Sequence, residues 1–182
     1  YIFLDQLAEQ FGLDRAVLQQ EYDKQAKYSE GEFVPNTYSF LPAIKEDKLI
    51  ESLLSKSLKQ RREFMVKQMG GYDEAKWLQL ATVASIVQKE SASIEEMPLV
   101  ASVIYNRIDQ NMRLQMDGTL NYGKYSHVRV THDRIKQDRS GYNTYRFKGL
   151  PDLPVCNVSF DALLAAIKPA KTNYLYFMKT KN

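Results

Sequence analysis

The sequence predicts an α+β fold, with long amphipathic helices in the first half and a β-rich second half whose short strands form a cleft. Three observations carry this expectation. Apolar residues recur at helical spacing through much of residues 46–108. From Arg113 the texture changes, and Gly118, Gly123, Gly141 and Gly149, with Pro151 and Pro154, divide short extended pieces. Residues 142–147 and 174–178 are aromatic runs with strand-forming character.

Residues 2–27 read as one or two short helices. Leu4, Leu7, Ala8 and Phe11 share one face, Gly12 breaks the pattern, and Asp14 can cap a helix over 16–22. Residues 30–40 are aromatic and β-branched around Pro35, which predicts an edge strand or extended loop closed by Pro42. The next helix spans Glu46–Met69, with a stripe of Ile50, Leu53, Leu54, Leu58, Met65 and Met69 stopped by Gly70-Gly71. Asp73 is an N-cap for a helix running to about Ser93. Pro98 suits the first turn of another, buried through Val100, Val103, Ile104 and Ile108. Ser159 caps a helix over 160–167, and Pro169 ends it.

Composition narrows the class. The 182 residues are 44% hydrophobic and 26% charged, which excludes a disordered chain or a coiled-coil rod. A membrane-spanning helix needs roughly 20 mostly apolar residues, and the longest uncharged helical stretch, 78–88, is too short. A net charge of +3 is too balanced for a nucleic-acid binder. The cluster Lys56, Lys59, Arg61 and Arg62 has the spacing of a solvated helix side. A single cysteine, Cys156, excludes an internal disulfide. The 12 tyrosines, against 8 phenylalanines and 1 tryptophan, suit a wet cleft that holds a polar polymer. The non-Met start and the absence of a span suggest a core trimmed from a longer protein.

Glu90 stands out chemically. It continues the apolar stripe of Val83, Ile86 and Val87, with Ile94 beyond it, whereas Lys89 points toward solvent. A carboxylate placed among apolar neighbours tends to hold its proton, which is the state a general acid needs. The competing reading is a structural glutamate paired with Arg107 or Arg113. His127 and His132, with Asp117 and Asp133, match no metal-ligand spacing, and no phosphate-binding glycine loop or nucleophile elbow is present. Cys156 reads as a small packed residue rather than a nucleophile.

Around Glu90 runs Ala84-Ser85-Ile86-Val87-Gln88-Lys89-Glu90-Ser91. Val100-Ala101-Ser102-Val103-Ile104-Tyr105-Asn106-Arg107 and Met112-Arg113-Leu114-Gln115-Met116-Asp117-Gly118-Thr119 follow. Tyr142-Asn143-Thr144-Tyr145, Gly149-Leu150-Pro151 and Pro169-Ala170-Lys171-Thr172-Asn173-Tyr174-Leu175-Tyr176-Phe177 complete the order, with Glu30-Gly31 and Pro35-Asn36-Thr37-Tyr38 upstream. Taken together these blocks resemble the endolytic murein transglycosylase (MltG, or YceG-like) family over roughly residues 28–178. Four places depart from that family's pattern: Gly118 stands where proline is usual, Ser91 where threonine or alanine is common, Gln88 where a glutamate is, and Val158-Ser159 where a Pro-Gly pair is. The family's C-terminal tail also does not follow Asn182.

The resemblance implies a lyase that cleaves the β-1,4 bond between N-acetylmuramic acid and N-acetylglucosamine in peptidoglycan, leaving 1,6-anhydromuramic ends, without metal or cofactor. It makes Glu90 the single general acid and base. Gln115, Asp117, Asn143, Thr144 and Tyr145 would line the glycan cleft, and Glu30 and Thr37 would approach from the extended segment. It implies a partial, LysM-like accessory lobe over residues 1–27 and a catalytic domain over 28–182, truncated at its C-terminus. The implied partners are glycan strands and peptidoglycan synthases, not nucleic acid. The implied location is the bacterial inner membrane, facing the periplasm or cell wall, through an anchor outside this chain. Two rivals remain: a non-catalytic peptidoglycan-binding scaffold, and a hydrolase using Glu90 with Asp117 as a carboxylate pair.

Overall fold

The computed structural model describes residues 2–41 and 43–178, and the described residues form eight α-helices and one 3-10 turn. The first helix, α1 (Ile2–Phe11), is followed by α2 (Arg15–Gln25), whose first amides at Ala16 and Val17 donate to Asp14 Oδ1. The predicted long helix is α3 (Glu46–Met69), ended by Gly70 at φ 77°, a left-handed conformation that glycine adopts without steric cost. Then come α4 (Glu74–Glu90), capped by Asp73 through Lys76 N at 2.7 Å, and α5 (Met97–Asp109) with Pro98 in its first turn. Short α6 (Asp117–Leu120), a 3-10 turn (Gly123–Tyr125) and α7 (His132–Gln137) precede α8 (Phe160–Ile167), which Ser159 caps as expected.

Two apolar clusters hold these helices. In the first, α1 and α2 lay Leu4, Leu7, Leu18 and Tyr22 against Leu49, Ile50 and Leu53 of α3. Full burial of such side chains stabilises by about 1.5–3 kcal/mol each. The second cluster is centred on α4, which packs against α5, α6 and α8. Ala81, Ala84, Ala101, Ala162 and Ala166 are buried there, and their small side chains let the helices approach closely beside Trp77, Ile86, Ile104 and Leu163. Of the predicted α5 stripe, Val100, Val103 and Ile104 are buried and Ile108 packs against the cluster.

The α+β expectation is overturned: no strand forms among the described residues, and the second half is loops and short helices. The three segments expected to be extended or stranded bond to side chains and turns instead of to one another. In residues 30–40, Phe33 N donates to Asn157 Oδ1 and Val34 N to Ser57 Oγ. Within 142–147, Tyr145 N donates to Asn143 Oδ1, and Arg146 N and Phe147 N both return to Asn143 O, which closes a turn. In 174–178 the carbonyls of Tyr174 and Leu175 accept from Asn106 Nδ2 and Arg107 Nε. Strand propensity reports a side chain's fit to a pleated surface, and here no neighbouring segment supplies one. The expected closure at Pro42 lies outside the described residues.

Two further corrections concern charge. Arg61 is not on a solvated face: it is buried and pairs with Glu32, while its guanidinium lies 5.5 Å from the Trp77 ring centre. Glu32 Oε1 also accepts from Lys27 N and Tyr28 N at 3.0 Å each, so one buried carboxylate fixes the approach of residues 27–34 to α3. Next to it, Gly31 takes φ 81°, and a Cβ there would lie 2.8 Å from Pro154 Cγ. The Glu30-Gly31 pair is thus read locally as a close backbone approach that only glycine permits.

Candidate active site

Glu90 is the last residue of α4, half-buried, one turn beyond fully buried Ile86 and Val87. The helix stops here rather than near Ser93, so Ile94 lies past its end and is exposed. A carboxylate at a helix C-terminus opposes the helix dipole, so this residue is poorly explained by helix stability. Gly118 N donates to Glu90 Oε1 at 2.6 Å. The Arg107 guanidinium clamps the carbonyls of Arg113, Leu114 and Leu175.

The loop that carries Gly118 is seated on residues 143–145. Gln115 N donates to Thr144 O at 3.1 Å, Met116 N to Thr144 Oγ1 at 3.2 Å, and the Thr119 and Thr144 hydroxyls meet at 2.9 Å. Gln115 itself takes φ 53° and is exposed. Tyr145 OH donates to Asp117 Oδ1 at 2.6 Å. The Tyr145 phenol is pushed well above its ordinary range by burial, by that bond, and by the charges of Asp117 and Glu90. It therefore stays a hydrogen-bond donor, and Glu90, Asp117, Gly118 and Tyr145 form one polar cluster.

The other expected site residues are placed as follows. Asn143 is fully buried, with both amide donors on the carbonyls of Ile135 and Asp138 at 2.8 Å. Thr144 is buried in the same turn. Thr37 is exposed on the segment beside α3, and no described contact joins it to Glu90. Glu30 lines a cavity of about 380 Å³ together with Gln88, Lys89, Ser126 and Asn157. Burial pushes the Glu30 carboxyl up, while the Lys89 charge pulls it down. His127 and His132 are exposed, and no three His, Cys, Asp or Glu residues are grouped to hold a metal among the described residues.

Sequence reasoning missed three participants. Lys89 was expected in solvent but is half-buried, with Nζ donating to Ser126 Oγ at 3.0 Å. Gln88 locks the loop before α8 from both ends of its amide: Nε2 donates to Asn157 O at 3.0 Å, and Oε1 accepts from Ser159 N at 2.7 Å. An ionised glutamate could not make the first bond. Gly118 is the third, and its only signal was its occurrence where the resemblance has proline. Cys156 is half-buried at the wall of the cavity that Glu30 lines, with its Sγ 3.7 Å from Ser85 O, and burial pushes its thiol up to about 12, which disfavours the nucleophilic thiolate.

Comparison with known proteins gives the chain's relatives. A family model described as the YceG-like family matches residues 2–182. The chain is 32% identical over 184 residues to the endolytic murein transglycosylase of Bacillus subtilis (strain 168), covering 99% of this chain and 49% of that protein. It is 36% identical over 168 residues to the endolytic murein transglycosylase of Streptococcus pneumoniae serotype 2 (strain D39), covering 86% of this chain and 29% of that protein. The crystal structure of a yceG-like protein from Listeria monocytogenes superposes with a TM-score of 0.76 at 25% identity, over 97% of this chain and 66% of that one. The chain thus spans about half the length of the Bacillus relative and under a third of the Streptococcus one.

Proposed function

The chain belongs to the YceG-like family, and from that premise we propose that it is the catalytic part of an endolytic peptidoglycan lytic transglycosylase with Glu90 as the single general acid and base. The observation that carries this is the position of Glu90, a carboxylate at the end of a buried helix turned toward a loop of exposed polar groups. In the proposed reaction the protonated Glu90 gives its proton to the glycosidic oxygen as the bond from muramic C1 to that oxygen breaks. The muramic 6-hydroxyl oxygen then bonds to C1, and its proton returns to Glu90. The nucleophile belongs to the same sugar, so positioning replaces an activated water and a second catalytic carboxylate is unnecessary.

On this reading Gln115, Asp117 and Tyr145 meet the sugar, while Asn143 and Thr144 hold their loop and Glu30 and Thr37 flank a longer groove. Asp117 is bonded to the Tyr145 hydroxyl, an arrangement that suits orientation of a sugar hydroxyl better than deprotonation of water. Residues 1–27 would be the accessory lobe and residues 28–182 the catalytic domain. No helix among the described residues is long and apolar enough to cross a membrane, and the cell-wall face of the membrane is the location this reading implies. Peptidoglycan synthases are the partners this reading implies.

Cleavage of isolated glycan strands in heavy-oxygen water tests the chemistry. An intramolecular transfer leaves the new muramic ends unlabelled and anhydro. Incorporation of the heavy isotope would mean that water attacks, and the hydrolase reading with Asp117 would replace this one.

A further inference from the structure

Beside the Glu90 cluster lies a group of tyrosines that the proposed reaction does not use. Tyr122 and Tyr142 stack with ring centres 3.9 Å apart and planes 22° from parallel. Tyr125 meets Tyr122 edge-on, with centres 6.1 Å apart. The Arg134 guanidinium sits 3.9 Å over the Tyr125 ring, and its Nη2 donates to Leu120 O, which fixes that ring in place. The three rings line a cavity of about 500 Å³ that Ser29, Glu30 and Lys124 also border. Such a volume falls in the range of small-ligand pockets, roughly 300–1,000 Å³.

The cavity is not isolated. Tyr122 and Tyr125 also line a second hollow of about 500 Å³, with Thr131, Arg134 and Asp138. Glu30 and Gly123 line the hollow of about 380 Å³ that reaches Lys89, the residue before Glu90. Shared lining residues thus make the three hollows neighbours. A set of neighbouring polar-rimmed hollows with aromatic walls suits a polymer better than a compact metabolite. Immobilised tyrosine rings suit the apolar C–H face of a pyranose, and the rim suits its hydroxyl and acetamido groups.

We propose that Tyr122, Tyr125 and Tyr142 form a shelf on which a hexosamine ring of the bound glycan stacks, away from the bond being cleaved. This deepens the function proposed above and rests on it. The shelf contributes strand binding, whereas Glu90 contributes chemistry. Tyr142 directly precedes the 143–145 turn that seats Gly118, so the shelf and the Glu90 loop share one support.

The test uses the chain carrying Glu90→Gln, titrated with the N-acetylglucosamine tetramer and observed through its tyrosine ring resonances. The account expects the Tyr122, Tyr125 and Tyr142 signals to move together, which needs no shelf variant to fold. Tyr122→Ala should weaken binding about tenfold, whereas Tyr122→Phe retains it. On glycan strands, Tyr122→Ala in the active chain should raise KM and leave kcat nearly unchanged. Unmoved tyrosine resonances, or unchanged KM in a folded Tyr122→Ala, would overturn the shelf while leaving cleavage by the parent chain intact. Tetramer binding at these rings by a parent chain that never cleaves strands would retain the shelf and overturn the transglycosylase reading.

Discussion

Gly118 donates its backbone N–H to Glu90 Oε1 across 2.6 Å, and only a residue without a side chain fits this approach. A Cβ on Gly118 would lie 2.7 Å from Lys89 Cβ and 2.8 Å from Glu90 Oε1. The first contact is with atoms near the helix backbone, which cannot swing away, so a larger residue must displace the loop or the carboxylate.

Gly118→Ala is therefore expected to leave a folded protein with misplaced chemistry. Displacement of a catalytic group by an ångström costs about a hundredfold in rate. Strand-cleavage kinetics should show kcat falling on that order, while circular dichroism retains the helical spectrum. Full activity in a folded Gly118→Ala would separate this contact from catalysis.

The buried Arg61–Glu32 pair makes a stability prediction. Glu32→Ala leaves the Arg61 guanidinium uncompensated and removes the acceptor of two backbone amides. Loss of one partner of a buried pair costs about 3–5 kcal/mol. Urea denaturation should report a loss of that size, and a change below about 1 kcal/mol would mean the pair behaves as a surface one.

Glu30 predicts a pH dependence. Its folded value is raised above the ordinary 4.5 by burial, so the folded state binds its proton more tightly than the unfolded state. Its contribution to stability is full at acid pH and is lost as the pH rises from about 4.5 through the folded value. Glu30→Gln should raise the melting temperature near neutral pH, with the advantage shrinking toward the acid end. An advantage that grows on acidification would have the wrong sign.

Cys156, with its thiol raised to about 12, should resist iodoacetamide in the native chain at mildly alkaline pH and react once urea unfolds it. Rapid native labelling would mean that its surroundings do not hold the thiol protonated.

The helices were legible because their signals are local. Asp14, Asp73 and Ser159 cap as their types suggest, and Gly70 ends α3 where the apolar stripe ends. The second half was not legible, because a strand needs a partner that composition does not reveal. Residues 142–147 look β-rich, yet Asn143 folds them into a turn by accepting three backbone amides through its side chain and carbonyl. Glu90 was visible as a charge that breaks an apolar stripe. Its loop was not, because Gly118 and Thr144 acquire their parts only through contacts across 25 or more positions. Arg61 was misread for a similar reason: its partner, Glu32, is 29 positions away.

The most direct measurement is digestion of purified peptidoglycan by the chain and by its Glu90→Gln form, with the product ends identified by mass spectrometry. The account predicts 1,6-anhydromuramic ends from the parent chain and none from a folded Glu90→Gln that still binds strands. Anhydro ends that persist at the parent rate in Glu90→Gln would contradict it.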